Sequence, residues 1–193
     1  MINFKKIIRT YFIDYPKYAF NFSFIIQKDI KQFNAVIATK NGLFILNKTN
    51  NKLIKVLHGS FYGVAVRFNR LIVFEAFHNK INKGRIIELF VEKGKIVKSK
   101  VVLKNLSSGI HQIDIFDNNL YVCNSYNNSI DIYSLEEYKL ISQNFPLGSL
   151  TNGRKSKNYG HINSIYIKNY MIHCVAHNET KKTGKSSEIF TFD

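Results

Sequence analysis

The stretch Gly109–Ser125, GIHQIDIFDNNLYVCNS, returns in altered form as GHINSIYIKNYMIHCVA over Gly160–Ala176. Both copies contain a short segment of alternating apolar residues, then polar residues, then a second and more apolar segment. This order is typical of two β-strands joined by a tight turn. A third copy, FYGVAVRFNRLIVFEAFHN, occupies residues 61–79. A repeat with a period of about fifty residues therefore organises the chain.

The spacing of matched residues defines the repeat. Tyr62, His111 and Asn163 occupy the same place in the three copies, 49 and then 52 residues apart. Asn and Asp in the turns tolerate tight-turn backbone angles. The three turns are Phe68-Asn69-Arg70, Asp117-Asn118-Asn119 and Lys168-Asn169-Tyr170. In the third copy, residue similarity alone aligns His177 with Tyr126 and Phe77.

A third strand, and usually a fourth, follows each strand pair. Segments resembling the later strands of an earlier copy lie at Ala35–Thr39, Leu43–Asn47 and Leu53–Leu57, with a first strand predicted at Phe22–Ile26. Four strands per repeat of this length are typical of β-propeller blades. A β-sandwich is the alternative, but it predicts no such internal repeat.

The predicted fold is all-β, a β-propeller-like repeat of about four four-stranded blades with a short N-terminal helix. The predicted domains are an N-terminal helical segment, 1–21, and a propeller domain, 22–193, with blades at about 22–57, 58–103, 104–147 and 148–193. The last blade lacks a fourth strand, which the N-terminal segment would supply in a closed ring. A larger ring is the alternative, and an open ring would leave edges that favour oligomers.

The composition fits one globular domain. Of 193 residues, 45% are hydrophobic, which is enough for a substantial core. The formal net charge of +15 suits a polyanion partner. However, the charges are scattered, mostly lysine, and accompany many Asn, Ile, Phe and Tyr residues, as AT-rich genes encode. Arginine, which makes bidentate phosphate contacts, is scarce. A nucleic-acid partner is therefore less favoured than a composition effect.

Cys123 and Cys174 lie in apolar strand-like runs, where cysteine packs as a small hydrophobe. No metal site is predicted, because no two candidate ligands are closely spaced on one element. Lys5, Lys6 and Arg9 interrupt the apolar N-terminus, so we predict no signal peptide and no transmembrane segment. The expected location is cytoplasmic, and the sequence leaves any cofactor undetermined.

Two elements of the repeat resemble a known group of proteins. Gly109-Ile110-His111 with the following Leu120–Asn124, and Gly160-His161-Ile162-Asn163 with the later Glu179-Thr180, resemble an uncharacterised bacterial β-propeller family. That family is broadly similar to NHL-repeat and gluconolactonase-like propellers. The resemblance covers about residues 60–180 and implies a propeller fold without a reaction. Gluconolactonase-like propellers hold a metal with carboxylate and Asn ligands, and no full ligand set matches here.

Propeller geometry suggests where a site would form. The first strand of each blade lines the axis, so Tyr62, His111 and Asn163 are expected to converge there, with His161 nearby. A second set of candidate ligand-binding residues lies where the second strands end, and the basic stretch before Gly160 supplies one more. These further candidates are Glu75, Asn124, His177 and Arg154.

The role predicted from sequence is binding of a small polar or anionic ligand, such as a carbohydrate derivative, in an axial funnel. One alternative is a hydrolase or lyase in which His111 and His161 act as acid and base, with or without a metal. Another is a partial propeller that acts as an interaction scaffold. A Ser-His-Asp hydrolase is disfavoured, because the chain has no Gly-x-Ser-x-Gly motif.

Overall fold

The computed structural model describes residues 33–47, 51–77, 82–92, 95–147, 161–177 and 187–192. Regular structure within these ranges consists of β-strands, and none of these residues forms a helix that could cross a membrane. The strands are β1 (Phe33–Thr39), β2 (Gly42–Asn47), β3 (Leu53–Leu57), β4 (Phe61–Arg67), β5 (Arg70–Phe77), β6 (Lys83–Glu92), β7 (Lys95–Ser107), β8 (Ile110–Phe116), β9 (Asn119–Asn124), β10 (Ser129–Ser134), β11 (Leu140–Asn144), β12 (Ile162–Lys168), β13 (Met171–His177) and β14 (Ser187–Phe192). The helix predicted within 1–21 and the strand predicted at 22–26 lie outside the described residues.

The strands form four antiparallel sheets in chain order. Their orders are β1-β2-β3, β4-β5-β6-β7, β8-β9-β10-β11 and β12-β13-β14. Each strand pairs with its neighbour in sequence, so every sheet is an up-and-down meander of the kind that forms a propeller blade. The prediction of an all-β chain with about four blade-like repeats is confirmed. The blade boundaries within the chain stay a prediction.

One backbone hydrogen bond recurs in three sheets and defines their correspondence. The amide of Ala76 donates to the Ser60 carbonyl at 2.8 Å, and that of Ser125 to the Gly109 carbonyl at 2.9 Å. In the last sheet the His177 amide donates to the His161 carbonyl at 3.2 Å. These bonds reproduce the spacings of 49 and 52 residues. They also correct the sequence alignment, because His177 corresponds to Ser125 rather than to Tyr126.

The turns between first and second strands adopt left-handed backbone angles. Asp117 and Asn118 have φ of 44° and 63°, and Asn169 and Tyr170 have φ of 49° and 65°. Two consecutive positive φ angles are the mark of the hairpin turn whose twist matches that of the flanking strands. Asn and Asp pay little for this conformation, which explains their recurrence at these positions.

The chain divides into two compact units. Among the described residues, the first contains those up to Phe61 and Phe68–Ser108, and the second contains Tyr62–Arg67 and those from Gly109 onward. The first unit buries apolar side chains such as Phe74 and Ile86, both fully shielded from solvent. It also buries an ion pair, with Arg85 Nε 2.9 Å from Glu75 Oε2.

The second unit has a core formed between the sheets β8–β11 and β12–β14. Buried residues of this core include Tyr121, Cys123, Ile130, Ile132, Ile162, Ile165, Ile167, Ile172, Cys174 and Ala176. Every candidate residue treated below as part of one site belongs to this unit.

Gln112 joins the first strands of these two sheets. Its Nε2 donates to the Ile165 carbonyl at 2.8 Å, and its Oε1 accepts from the Ile165 amide at 3.0 Å. The side-chain amide thus satisfies both main-chain groups of one residue, as a neighbouring strand would. The matching position in β4 is Gly63, where a Cβ would lie only 2.8 Å from the Ile113 nitrogen. The backbones of β4 and β8 approach each other closely at Gly63. Between β8 and β12, the Gln112 side chain bridges the two backbones.

Replacement of Gln112 by alanine should destabilise the protein by about 2 kcal/mol, because two hydrogen bonds are lost and the Ile165 main chain loses its partner. Gln112→Glu should also destabilise, since it keeps an acceptor but removes the donor. Urea unfolding followed by circular dichroism measures both. Unchanged midpoints in both variants would contradict the bridging role.

Asp114 makes stability depend on pH. Burial raises the pKa of its carboxyl above the ordinary 3.8, and the hydrogen bond from the Ile115 amide offsets part of this rise. Since the folded state holds the proton more tightly than the unfolded state, stability falls as pH rises from about 4 through the folded-state pKa. Asp114→Asn should therefore melt higher than the wild type at pH 7.5. The gap should shrink as pH falls towards 4, and a gap independent of pH would contradict this account.

Candidate ligand-binding site

Four side chains form a row at the edge of the second unit where β4, β8 and β12 begin. The ring centroids of Tyr62 and His111 are 6.0 Å apart, with nearly perpendicular planes. Those of His111 and His161 are 4.7 Å apart, and those of His161 and His177 are 6.4 Å apart. Tyr62, His111, His161 and His177 are called the histidine row below.

A backbone irregularity places His111 in the row. The pairing of β8 with β9 shifts register between Ile110 and Gln112, so His111 is the extra residue of a β-bulge. The pairing of β12 with β13 shifts at the matching place, between Ile162 and Ser164, where Asn163 lies. Bulges re-aim side chains and are common next to functional sites.

His161 has a strained backbone. Its φ is 38°, in the left-handed region that disfavours residues with a Cβ. Such strain persists only where the surroundings hold it, and it is concentrated at functional sites.

Three hydrogen bonds hold the backbone at His161 and Ile162. The His161 carbonyl accepts from the His177 amide. The next carbonyl, of Ile162, accepts from Cys123 Sγ at 3.3 Å and from Ser125 Oγ. Cys123 and Ser125 are both fully buried, so the donors on β9 and just beyond it hold the start of β12 in place.

At the outer end of the row, His177 pairs across the sheet with β14. Its Nδ1 lies 2.6 Å from Ser187 Oγ, and both residues are exposed. The strand register places these two residues directly opposite each other. The row therefore continues onto β14 through a hydroxyl group.

Two predicted ligand-binding residues lie within their own sheets. Glu75 is almost fully buried and pairs with Arg85 in the first unit. Asn124 is buried in the second unit, where its Nδ2 donates to Asp131 Oδ2 at 3.1 Å. Asp131 also accepts from Ser129 Oγ at 2.6 Å and from Gln143 Nε2 at 2.9 Å. A role of Glu75 or Asn124 in ligand binding stays a prediction.

Asn163 and Arg154 are the remaining predicted ligand-binding residues. Asn163 is half-buried in β12, and Arg154 lies outside the described residues. Both cysteines are buried thiols, and burial raises the pKa of Cys174 to about 11 and also raises that of Cys123. Both belong to the core of the second unit. In the described ranges, no three or more His, Cys, Asp or Glu side chains are arranged to hold a metal ion.

Three residues that shape the site escaped the sequence analysis: Gln112, Ser125 and Ser187. Each forms hydrogen bonds with a residue that is distant in sequence or on another strand. Gln and Ser at these positions belong to no recognisable sequence motif. Ser187 lies directly opposite His177 in the pairing of β13 with β14. A sequence prediction of that hairpin with this register would have indicated Ser187.

Comparison with known proteins establishes the fold alone. No family model matches the chain, and no curated protein matches it. Among solved structures, the luciferin-regenerating enzyme matches with a TM-score of 0.54 at 9% identity, covering 77% of this chain and 50% of that one. The β-propeller domain of the trilobed protease from Pyrococcus furiosus matches at 0.46 and 12% identity, covering 89% of this chain and 56% of that one.

A calcium-binding protein, regucalcin from Agrobacterium tumefaciens, matches at 0.39 and 11% identity, covering 81% of this chain and 69% of that one. The sheets are blades of the β-propeller type. The chain spans about half the length of the luciferin-regenerating enzyme and of the trilobed protease propeller.

The strain at His161 is measurable by comparing two substitutions. His161→Gly should be more stable than His161→Ala by about 1 kcal/mol, because glycine adopts the left-handed conformation without penalty. His111 is the matched control, since its φ is not positive and glycine there should be less stable than alanine. Thermal unfolding of the four variants measures this. Alanine equal to or better than glycine at 161 would contradict the strained conformation.

Proposed function

We propose that this protein binds a small polar or anionic ligand, of the carbohydrate-derived kind, at the histidine row. The observation that supports this most is the approach of the His111 and His161 rings to 4.7 Å, flanked by Tyr62 and His177. Aromatic and imidazole groups gathered at one edge provide both apolar faces and polar tips.

The chemistry of the row suits an anion more than a cation. Imidazole nitrogens donate and accept hydrogen bonds, so the three histidines can supply donors to the oxygens of an anion. A protonated imidazole binds carboxylate or phosphate oxygens by charge-assisted hydrogen bonds, which are stronger than neutral ones. The formal net charge of +15 adds a long-range attraction for anions.

The strained His161 supports a functional use of the row. A left-handed histidine costs stability. Held by bonds from β9 and β13, the His161 imidazole keeps its place beside His111. Preorganised donors lose little freedom when a ligand binds.

A second candidate function is acid/base catalysis by the same pair. Adjacent imidazoles can divide the roles of proton donor and proton acceptor, as hydrolases and lyases require. The contact between the His111 and His161 rings favours this candidate over an interaction scaffold. Turnover of a bound compound, measured directly, separates an enzyme from a binding protein.

Ligand binding is tested by calorimetric titration of a panel containing inorganic phosphate, gluconate and methyl glucoside. His111→Ala should weaken binding of a panel member by at least about tenfold, which corresponds to the loss of one good hydrogen bond.

His173→Ala is the matched control. His173 belongs to the same sheet as His177 but bonds Thr191 at 2.9 Å and stacks on Tyr166 at 6.0 Å. Its loss should leave affinity unchanged. Equal weakening by His111→Ala and His173→Ala would overturn the assignment of binding to the row.

A further inference from the structure

Tyr126 lies at the same edge of the second unit as the histidine row. It follows the end of β9, and the amide of Ser125, immediately before it, donates to the Gly109 carbonyl at 2.9 Å. Gly109 directly precedes β8. The Ser125 hydroxyl also bonds the Ile162 carbonyl at the start of β12. The chain next to Tyr126 is therefore tied to the starts of β8 and β12, where the row lies.

Gly109 gives Tyr126 the room to approach β8. A Cβ on Gly109 would lie 2.9 Å from the Tyr126 Cβ and 3.0 Å from its backbone nitrogen, which is closer than packed atoms come. The φ of Gly109 is not positive, so space rather than an unusual backbone angle requires glycine here. The tyrosine is thus in direct contact with the residue that leads into β8.

The first copy of the repeat has Phe77 at the place of Tyr126. The two residues are matched by the backbone hydrogen bonds of Ala76 and Ser125, which immediately precede them. Phe77 is buried, and the guanidinium carbon of Arg85 lies 5.5 Å from the centre of its ring. In that copy, a cation of the protein itself therefore covers the aromatic ring.

The second copy has no such cover among the described residues. Ser129 takes the place of Arg85 in the pairing of the second and third strands. Its short side chain is fully buried and donates to Asp131 at 2.6 Å. Within the described ranges no cation or aromatic ring stacks on Tyr126, and this residue is 43% exposed. An open aromatic ring therefore lies beside the starts of β8 and β12.

We propose that Tyr126 is a ligand-binding residue of the site at the histidine row, and that its ring packs against the apolar face of a sugar ring. This inference rests on the proposed function and names the ligand class for it. The face of an aromatic ring is negative and attracts positively polarised C–H bonds. In a glucopyranoside the hydroxyl groups are equatorial, so axial C–H bonds line both faces of the ring and the hydroxyl groups project from its rim.

The row supplies partners for those hydroxyl groups. The rings of His111 and His161 lie 4.7 Å apart, and each neutral imidazole has one nitrogen that donates and one that accepts. A hydroxyl group does both, so it can pair with either nitrogen. Phosphate has no apolar face to place on Tyr126. An aromatic ring also attracts cations, but the formal net charge of +15 disfavours a cationic ligand.

The test is a calorimetric titration of wild type, Tyr126→Phe and Tyr126→Ala with methyl glucoside, gluconate and inorganic phosphate. Tyr126→Phe keeps the aromatic face, and Tyr126→Ala removes it. Tyr170→Ala is the matched control, because Tyr170 is 70% exposed in the same unit but lies in the turn between β12 and β13, at the far end of β12 from the row. Saturation-transfer NMR with irradiation of the aromatic protons of the protein detects C–H groups of the ligand that lie on an aromatic ring.

The proposal expects methyl glucoside to bind the wild type, with saturation transferred to the C–H protons of its ring. Tyr126→Ala should weaken this binding by about tenfold and reduce the transfer, because the packing of the two rings is lost. Tyr126→Phe and Tyr170→Ala should bind methyl glucoside with wild-type affinity. The affinity for phosphate should be the same in Tyr126→Ala as in the wild type.

Other results overturn the proposal in distinguishable ways. Equal affinity for methyl glucoside in wild type and Tyr126→Ala would remove Tyr126 from the site. Equal weakening by Tyr126→Phe and Tyr126→Ala, or by Tyr126→Ala and Tyr170→Ala, would overturn the packing of the sugar on this ring. Binding of phosphate or gluconate alone, lost in His111→Ala, would overturn the sugar-ring inference and leave the proposed function standing. Absence of binding by all three probes would overturn both.

Discussion

The carbonyl group of Ile162 receives hydrogen bonds from Cys123 Sγ and Ser125 Oγ, and this double contact ties the start of β12 to the neighbouring sheet. Gln112 adds a second tie three residues further along β12 by pairing with the main chain of Ile165. Buried polar groups must be paired, so these contacts allow little sliding between the sheets. The separation of the His111 and His161 rings depends on that register.

The strained backbone of His161 lies next to the buried hydrogen bonds that support it. His161 adopts a left-handed conformation, which glycine would adopt at lower cost, yet the surrounding bonds keep it. The stabilising interactions are buried, at Cys123 and Ser125, while the strained residue carries its imidazole to the edge of the unit. This division, a rigid interior that supports a polar edge, is what a binding site needs, because donors that are already placed lose little entropy on binding.

Local patterns predicted much of the fold. Alternating apolar residues and Asn-rich turns at Asp117-Asn118 and at Asn169 revealed the strand pairs, since both signals act over a few residues. The repeat spacing then related Tyr62 to His111 correctly. The second strand of the last copy was misaligned by one residue at His177, because residue similarity carries no information on hydrogen-bond register.

By itself, the sequence determined the strand content, the turn positions, the repeat and the clustering of polar residues at strand starts, all of which follow from short-range periodicity and backbone preferences. Only the tertiary structure decided which of those residues meet. It brought His111, His161 and His177 into one row and paired Glu75 with Arg85 instead. It also joined Ser187 to the row. Side-chain contacts across strands depend on register and on sheet packing, which arise from the whole chain and leave no local pattern.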